Sequence, residues 1–241
     1  MEKGSMLYEG KAKRVYATKE DEIVLIEYKD SATAFNGEKK AEISGKGRLN
    51  SEISSLIFVK LKELGITSHF IKRVSDHEQL VKHVHIIPLE VVTRNVAAGS
   101  LANRLGLQEG ERLNTPIVEF YYKNDELGDP LVTEDHIALL KIASEEEVRA
   151  MKEQALQINQ ALLSLFAEME IDLIDFKIEF GKDKAGVMML ADEISPDTCR
   201  LWEKKSNRKL DKDLFRRDLG NLIEAYTEVF DRLGGKSACS K

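Results

Sequence analysis

The stretch Asp175-Phe176-Lys177-Ile178-Glu179-Phe180-Gly181 alternates charged and apolar residues with a period of two. In an extended strand that period puts Asp175, Lys177 and Glu179 on one face, and Ile174, Phe176, Ile178 and Phe180 on the other. A second acidic run, Asp192-Glu193-Ile194-Ser195-Pro196-Asp197, follows a turn bounded by Gly181 and Gly186. If the two segments pair as a hairpin, Phe180 faces Val187 and Asp175 faces Asp192. Carboxylates opposed across a ladder repel. A divalent cation that takes hard oxygen ligands, such as Mg2+ on nucleotide phosphates, removes that penalty. A solvated sheet face with incidental charges fits the alternation equally well; the acidic run tilts the balance towards a metal site.

Two further groups suit anions. Gly10-Lys11-Ala12-Lys13-Arg14 sits at a tight strand connection, where glycine lets backbone approach a ligand and Lys11 and Lys13 project to one side. Alone, it reads as readily as a basic hairpin tip in water. Arg94-Asn95-Val96-Ala97-Ala98-Gly99-Ser100 ends a strand and opens a helix on small residues and a serine, which suits a phosphate pocket. Arg200 and Arg216 could contribute to it, although each arginine also fits a surface ion pair of little energetic value. Gly45-Lys46-Gly47 completes neither a G-x-x-x-x-G-K-[ST] loop nor G-x-G-x-x-G. G-x-S-x-G and H-E-x-x-H are absent. The five histidines are scattered; His83 and His85 share a strand face and read as structural.

These groups need a soluble scaffold of mixed elements. With 42% hydrophobic and 32% charged residues, the 241-residue chain has the balance of a globular protein. Its net charge of −6 argues against bulk nucleic-acid binding but not against a small anionic substrate held by a local basic cluster. No apolar run approaches the length of a membrane span. Met1–Ser5 lacks an apolar signal region. The two cysteines, Cys199 and Cys239, suggest neither a disulfide framework nor a metal site. The expectation is a cytoplasmic protein with reduced thiols.

Short apolar runs at 7–9, 14–17 and 22–28 predict a small antiparallel sheet, and the polar, glycine-rich 36–47 predicts a mobile loop. Helical spacing from Ile53 ends at Gly65; strands follow at 69–74 and 84–93, and a short helix at 96–105 closes at Gly106. Ser144 and Glu147 form a capping box for a helix to about Met169. The 173–194 hairpin follows, Asp211 is expected to cap the last helix, and Lys236–Lys241 to fray. Sheet first, then helices with a hairpin, makes the fold class α+β.

Taken together, Leu7–Lys13, Arg94–Ser100, Asp175–Gly181 and Asp192–Asp197, with Lys123-Asn124-Asp125, Asp129-Pro130 and Arg200-Leu201-Trp202, resemble the SAICAR synthetase family in order and spacing from about residue 6 to 234. The resemblance implies a two-lobed, ATP-grasp-related fold with a kinase-like N-terminal antiparallel sheet, divided here into 1–92 and 93–241. It implies ATP-dependent joining of L-aspartate to a carboxylated aminoimidazole ribonucleotide, with Mg2+, by a homodimer. By the same resemblance, Lys11 and Lys13 hold ATP phosphates and Glu90 lies at the adenine. Glu179 and Asp192 ligate Mg2+, with Asp129 as a further candidate. Asp175 and Lys177 face the imidazole as the catalytic pair, and Arg94, Ser100, Arg200 and Arg216 take its 5′-phosphate. Many family members carry Asp-Gly where this chain has Asn36-Gly37, so a charged role at position 36 is in doubt. A kinase acting on a hydroxyl would not need the Arg94–Ser100 and Asp175–Lys177 groups together. A regulatory module without turnover would not need carboxylates at both Glu179 and Asp192.

Overall fold

The computed structural model describes residues 3–34 and 37–235. Asn36 and the tail Lys236–Lys241, with Cys239, lie outside the described residues, and with them the expectations placed there. β1 (Met6–Glu9), β2 (Lys13–Ala17) and β3 (Ile23–Tyr28) form the expected meander. Gly10 N–H donates to Lys13 O at 2.8 Å across its first turn. β4 (Ser31–Ala34) and β5 (Lys39–Glu42) pair separately as a ribbon. After helix α1 (Lys46–Glu63), β6 (Phe70–Arg73) and β7 (Glu78–Lys82) complete the first sheet in the order β1-β2-β3-β7-β6, antiparallel throughout.

The expected mobile loop at 36–47 is therefore regular structure where it is described. Asp30 explains much of this. Its carboxylate accepts from Gly45 N–H at 3.1 Å and Gly47 N–H at 2.8 Å, so a residue far back in sequence satisfies donors that the helix start leaves free. Lys39 and Lys46 do not wait for an anion. Lys39 pairs with Asp218 at 2.6 Å, and Lys46 is buried against Asp197 at 2.7 Å.

The second sheet holds β8 (His85–Val96), β9 (Arg112–Tyr122), β10 (Leu131–Val132), β11 (Ile171–Lys182), β12 (Met188–Ala191) and β13 (Cys199–Glu203). Its order is β10-β9-β8-β11-β12, with β13 beside the first half of β11. The helices α2 (Gly99–Leu105), α3 (Glu134–Leu139), α4 (Glu145–Glu168), α5 (Asp213–Arg216) and α6 (Leu222–Arg232) connect and cover it. Ser144 and Glu147 make the predicted capping box. The last helix is capped by Asn221 and not by Asp211, whose carboxylate instead accepts from the Leu201 and Asp213 N–H groups at 2.8 and 2.7 Å.

The hairpin register also differs from expectation. Phe180 pairs with Leu190, three residues beyond Val187. Gly181 and Lys182 continue the strand, and Asp183 closes the turn by accepting from Ala185 and Val187 N–H at 3.0 and 2.9 Å. Asp175 consequently lies opposite Arg94 and Arg200, with no Asp192 across from it. Phe176, Ile178 and Phe180 enter the main core as the alternation requires. Ile174 does not, because the register with β13 slips between Leu173 and Asp175 and Ile174 packs with Val96 and Trp202 instead.

One core joins the chain's two halves. Leu49, Ile53, Ile57 and Phe58 of α1 pack with Met151, Ile158 and Phe166 of α4, with β11, and with Tyr226 and Val229 of α6. Residue 92, the expected division, falls inside β8, whereas the change of sheet lies between Lys82 and His85. If Asp30 holds the start of α1, Asp30→Ala should cost about 1–2 kcal/mol. A thermal melt should then show Tm lowered by roughly 2–8 °C. An unchanged melt would mean that solvent serves those N–H groups as well.

Candidate active site

Between the two sheets lies a cleft of about 1140 Å³, and all twelve site residues singled out in the sequence line it. They fall into two connected groups. In the first, neighbouring strands bring three side chains to one point. Arg94 on β8 and Arg200 on β13 flank Asp175 on β11, donating to its Oδ2 at 2.9 and 2.7 Å. Arg94 also donates to Glu119 at 2.6 Å and to the Ser100 and Tyr121 hydroxyls at 3.0 Å each. Arg200 and Arg216 share Asp213, at 2.9 and 2.7 Å. Arg94 and Asp175 are buried, where a charge without a partner is costly. Gly99 makes the approach possible: its φ is +52°, and a Cβ there would overlap the Arg200 guanidinium.

The second group surrounds Lys177. Its Nζ lies 2.9 Å from Glu179, 3.1 Å from Glu90 and 3.7 Å from Asp192. Lys123 reaches Glu179 at 2.6 Å, and Lys13 lies between Asp192 and Glu193, 3.0 Å from the latter. Burial opposes charge on Asp192, yet the ammonium groups of Lys13, Lys177 and Lys123 hold its carboxyl well below the usual carboxylate range. Lys177 is buried too, but Glu179, Asp192 and Glu90 raise its pKa well above the ordinary lysine value. Asp192 takes φ +62° at the end of β12, a left-handed conformation uncommon outside glycine. Lys11 and Asp129 stand further out. Lys11 pairs with Asp125 at 2.7 Å, and Asp129 accepts from Asn124 N–H at 2.9 Å.

Among the described residues, no group of three or more His, Cys, Asp or Glu side chains could hold a metal ion. Glu179 and Asp192, both on Lys177, could supply two ligands to a Mg2+ that draws the rest from phosphates and water, which is how that ion is commonly held. The sequence reading missed Glu119, Tyr121 and Asp213, and noted Glu193 only as part of the acidic run. The first two sit on β9, where i and i+2 share a face, but that strand was not foreseen. His69 forms part of the wall, edge-on to Phe58 at 5.6 Å, and among the described residues neither ring nitrogen has a hydrogen-bond partner. Burial pushes its pKa down to about 3, so the wall there is neutral.

The sequence profile of SAICAR synthetase matches residues 6–233. A phosphoribosylaminoimidazole-succinocarboxamide synthase of Bacillus mycoides (strain KBAB4) is 65% identical over 237 residues, 98% of this chain and 99% of that protein. The crystal structure of the synthase from Ehrlichia chaffeensis superposes with a TM-score of 0.94 at 48% identity, covering 97% of this chain and all (100%) of that one. A SAICAR synthetase solved in complex with ADP gives 0.93 at 50% identity, covering 97% and 99%. The chain belongs to the SAICAR synthetase family.

Proposed function

We propose that the two groups of the cleft divide one ligation between them. As a member of this family the enzyme is an ATP-dependent ligase of purine biosynthesis, joining L-aspartate to the carboxylate of the aminoimidazole ribonucleotide. The observation that carries the division is the shared strand β11, which presents Asp175 to the arginines and Glu179 to the lysines. The relative bound to ADP supports ATP as the cosubstrate.

Arg94, Ser100, Arg200 and Arg216 hold the 5′-phosphate of the imidazole nucleotide. Asp175 uses only Oδ2 on the arginines, so Oδ1 remains to accept from the imidazole's amino group. The apolar wall of Val15, Val24, Val81 and Ile86 takes the adenine, with Glu90 at its inner rim, and Lys11 and Lys13 take the phosphates. Glu179 and Asp192 hold Mg2+, with Asp129 as an outer candidate; the ion supplies charge neutralisation on the phosphates. A carboxylate oxygen attacks the γ-phosphorus and ADP leaves. The aspartate amine then attacks the acyl carbon, loses a proton and expels phosphate. Lys177 stands where negative charge builds in both steps, and the protein's main task is positioning. The cytoplasm is the proposed compartment and a homodimer the proposed assembly, both on the resemblance.

Purified enzyme with ATP and the imidazole carboxylate should release ADP and form the succinocarboxamide one-to-one only when L-aspartate is present. ADP release onto another acceptor at the same rate would sink the reading. Asp192→Asn should keep the fold and lower kcat ~100-fold or more, about 3 kcal/mol of barrier. Turnover near wild type at limiting Mg2+ would remove Asp192 from the metal. Gly99→Ala should displace Arg200 and weaken binding of the imidazole nucleotide by roughly tenfold, the cost of one charged hydrogen bond, while ADP binds as before. Calorimetric titration separates the two, and an equal loss for ADP would place Arg200 at the wrong phosphate.

A further inference from the structure

The cations of the cleft are not equally committed. Arg94 spends its guanidinium on Glu119, Asp175, Ser100 and Tyr121. Arg200 bridges Asp175 and Asp213, and Lys177 meets three carboxylates. Lys212 differs. Among the described residues its Nζ has one partner, Asp197 Oδ2, at 3.2 Å, although the side chain is only 13% exposed. An ammonium carries three donors, so most of its capacity is unspent.

Nor is Asp197 a counter-ion for Lys212 alone. Its Oδ1 accepts from the Tyr226 hydroxyl at 2.7 Å, and its Oδ2 lies 2.7 Å from Nζ of the wholly buried Lys46. Two lysines share one carboxylate, which leaves a positive charge in excess at this wall. Burial lowers the Lys212 pKa, and the nearby charges of Lys46 and Arg216 add to it against the pull of Asp197. A cation so placed gains from an arriving anion.

The location suits the reaction. Asp197, Thr198 and Lys212 line the cleft. Thr198 O accepts from Lys177 N–H at 2.8 Å, so the segment that anchors Lys212 runs directly beside the strand carrying Lys177. We propose that Lys212, braced by Asp197, Lys46 and Tyr226, binds a carboxylate of L-aspartate and brings its amine to the acyl carbon beside Lys177. This assignment rests on the ligase reading above and adds to it the residue that recognises the amine substrate.

The test compares Lys212→Met, which keeps bulk without charge, with Lys212→Arg, which keeps the charge. KM is measured for each of the three substrates by succinocarboxamide formation. Lys212→Met should raise the KM for L-aspartate roughly tenfold to hundredfold, the usual loss for a hydrogen bond to a charged group. The KM values for ATP and the imidazole nucleotide should stay near wild type, and Lys212→Arg should recover part of the loss. An equal rise for the imidazole nucleotide, or no change for aspartate, overturns the proposal. Should Lys212→Met fail to fold, the wild-type enzyme decides. With ADP and the imidazole carboxylate bound, added L-aspartate should protect Lys212 from an amine-reactive label read by peptide mapping, and equal labelling overturns the assignment. A wild-type enzyme forming no succinocarboxamide would instead sink the ligase reading, so the two failures are distinguishable.

Discussion

A carboxylate drawn out of water needs a cation close by, or it gives up its charge. β11 draws in two, Asp175 and Glu179, and the end of β12 brings Asp192 beside them. The surrounding architecture supplies the answering charges. β8 offers Arg94, β13 offers Arg200, the segment after β9 offers Lys123, and the first sheet reaches across with Lys13. Each of those cations comes from a different element, so the pairing holds only while both sheets keep their present order. Such a network is a poor way to gain stability, since apolar residues of the same volume often serve as well. What it does provide is charge held at fixed points, as the proposed phosphate and metal roles require.

The charges of the cleft satisfy one another, so the proposed binding is an exchange of partners. On the proposed roles, Lys13 and Lys177 would turn to phosphate while Glu179 and Asp192 turn to Mg2+. The gain from each new contact is thus a difference between two ionic contacts, not a whole one. The left-handed backbone at Asp192 belongs to the same economy of positions, because it fixes a carboxylate at a strand end where the chain must also turn away.

How much of this could be read in the sequence depends on how local each cause is. The alternation of Asp175, Lys177 and Glu179 is local, and so is the Ser144–Glu147 capping box; both survive in the structure. The hairpin register does not, because Asp183 closes its own loop with two side-chain bonds and lets β11 run through Gly181. The segment at 36–47 looks unpinned until Asp30, from another turn, is seen to hold Gly45 and Gly47. β9 escaped notice because Pro116 interrupts a weakly alternating, largely exposed run, and with it went Glu119 and Tyr121, which orient Arg94. Residue types at a site are legible one by one; who pairs with whom is decided by strand order.

The shared oxygen of Asp175 has a consequence for selectivity. Arg94 and Arg200 both close on Oδ2. On the proposed roles, a phosphate they receive at one end of the nucleotide would compete with the carboxylate that faces its ring at the other. Recognition of the tail and presentation of the head would then be linked through a single atom. A nucleoside lacking its phosphate would leave both arginines on Oδ2 and would find only Oδ1 open to its ring. In that sense the pocket would read whether a ligand is complete as well as what it is made of.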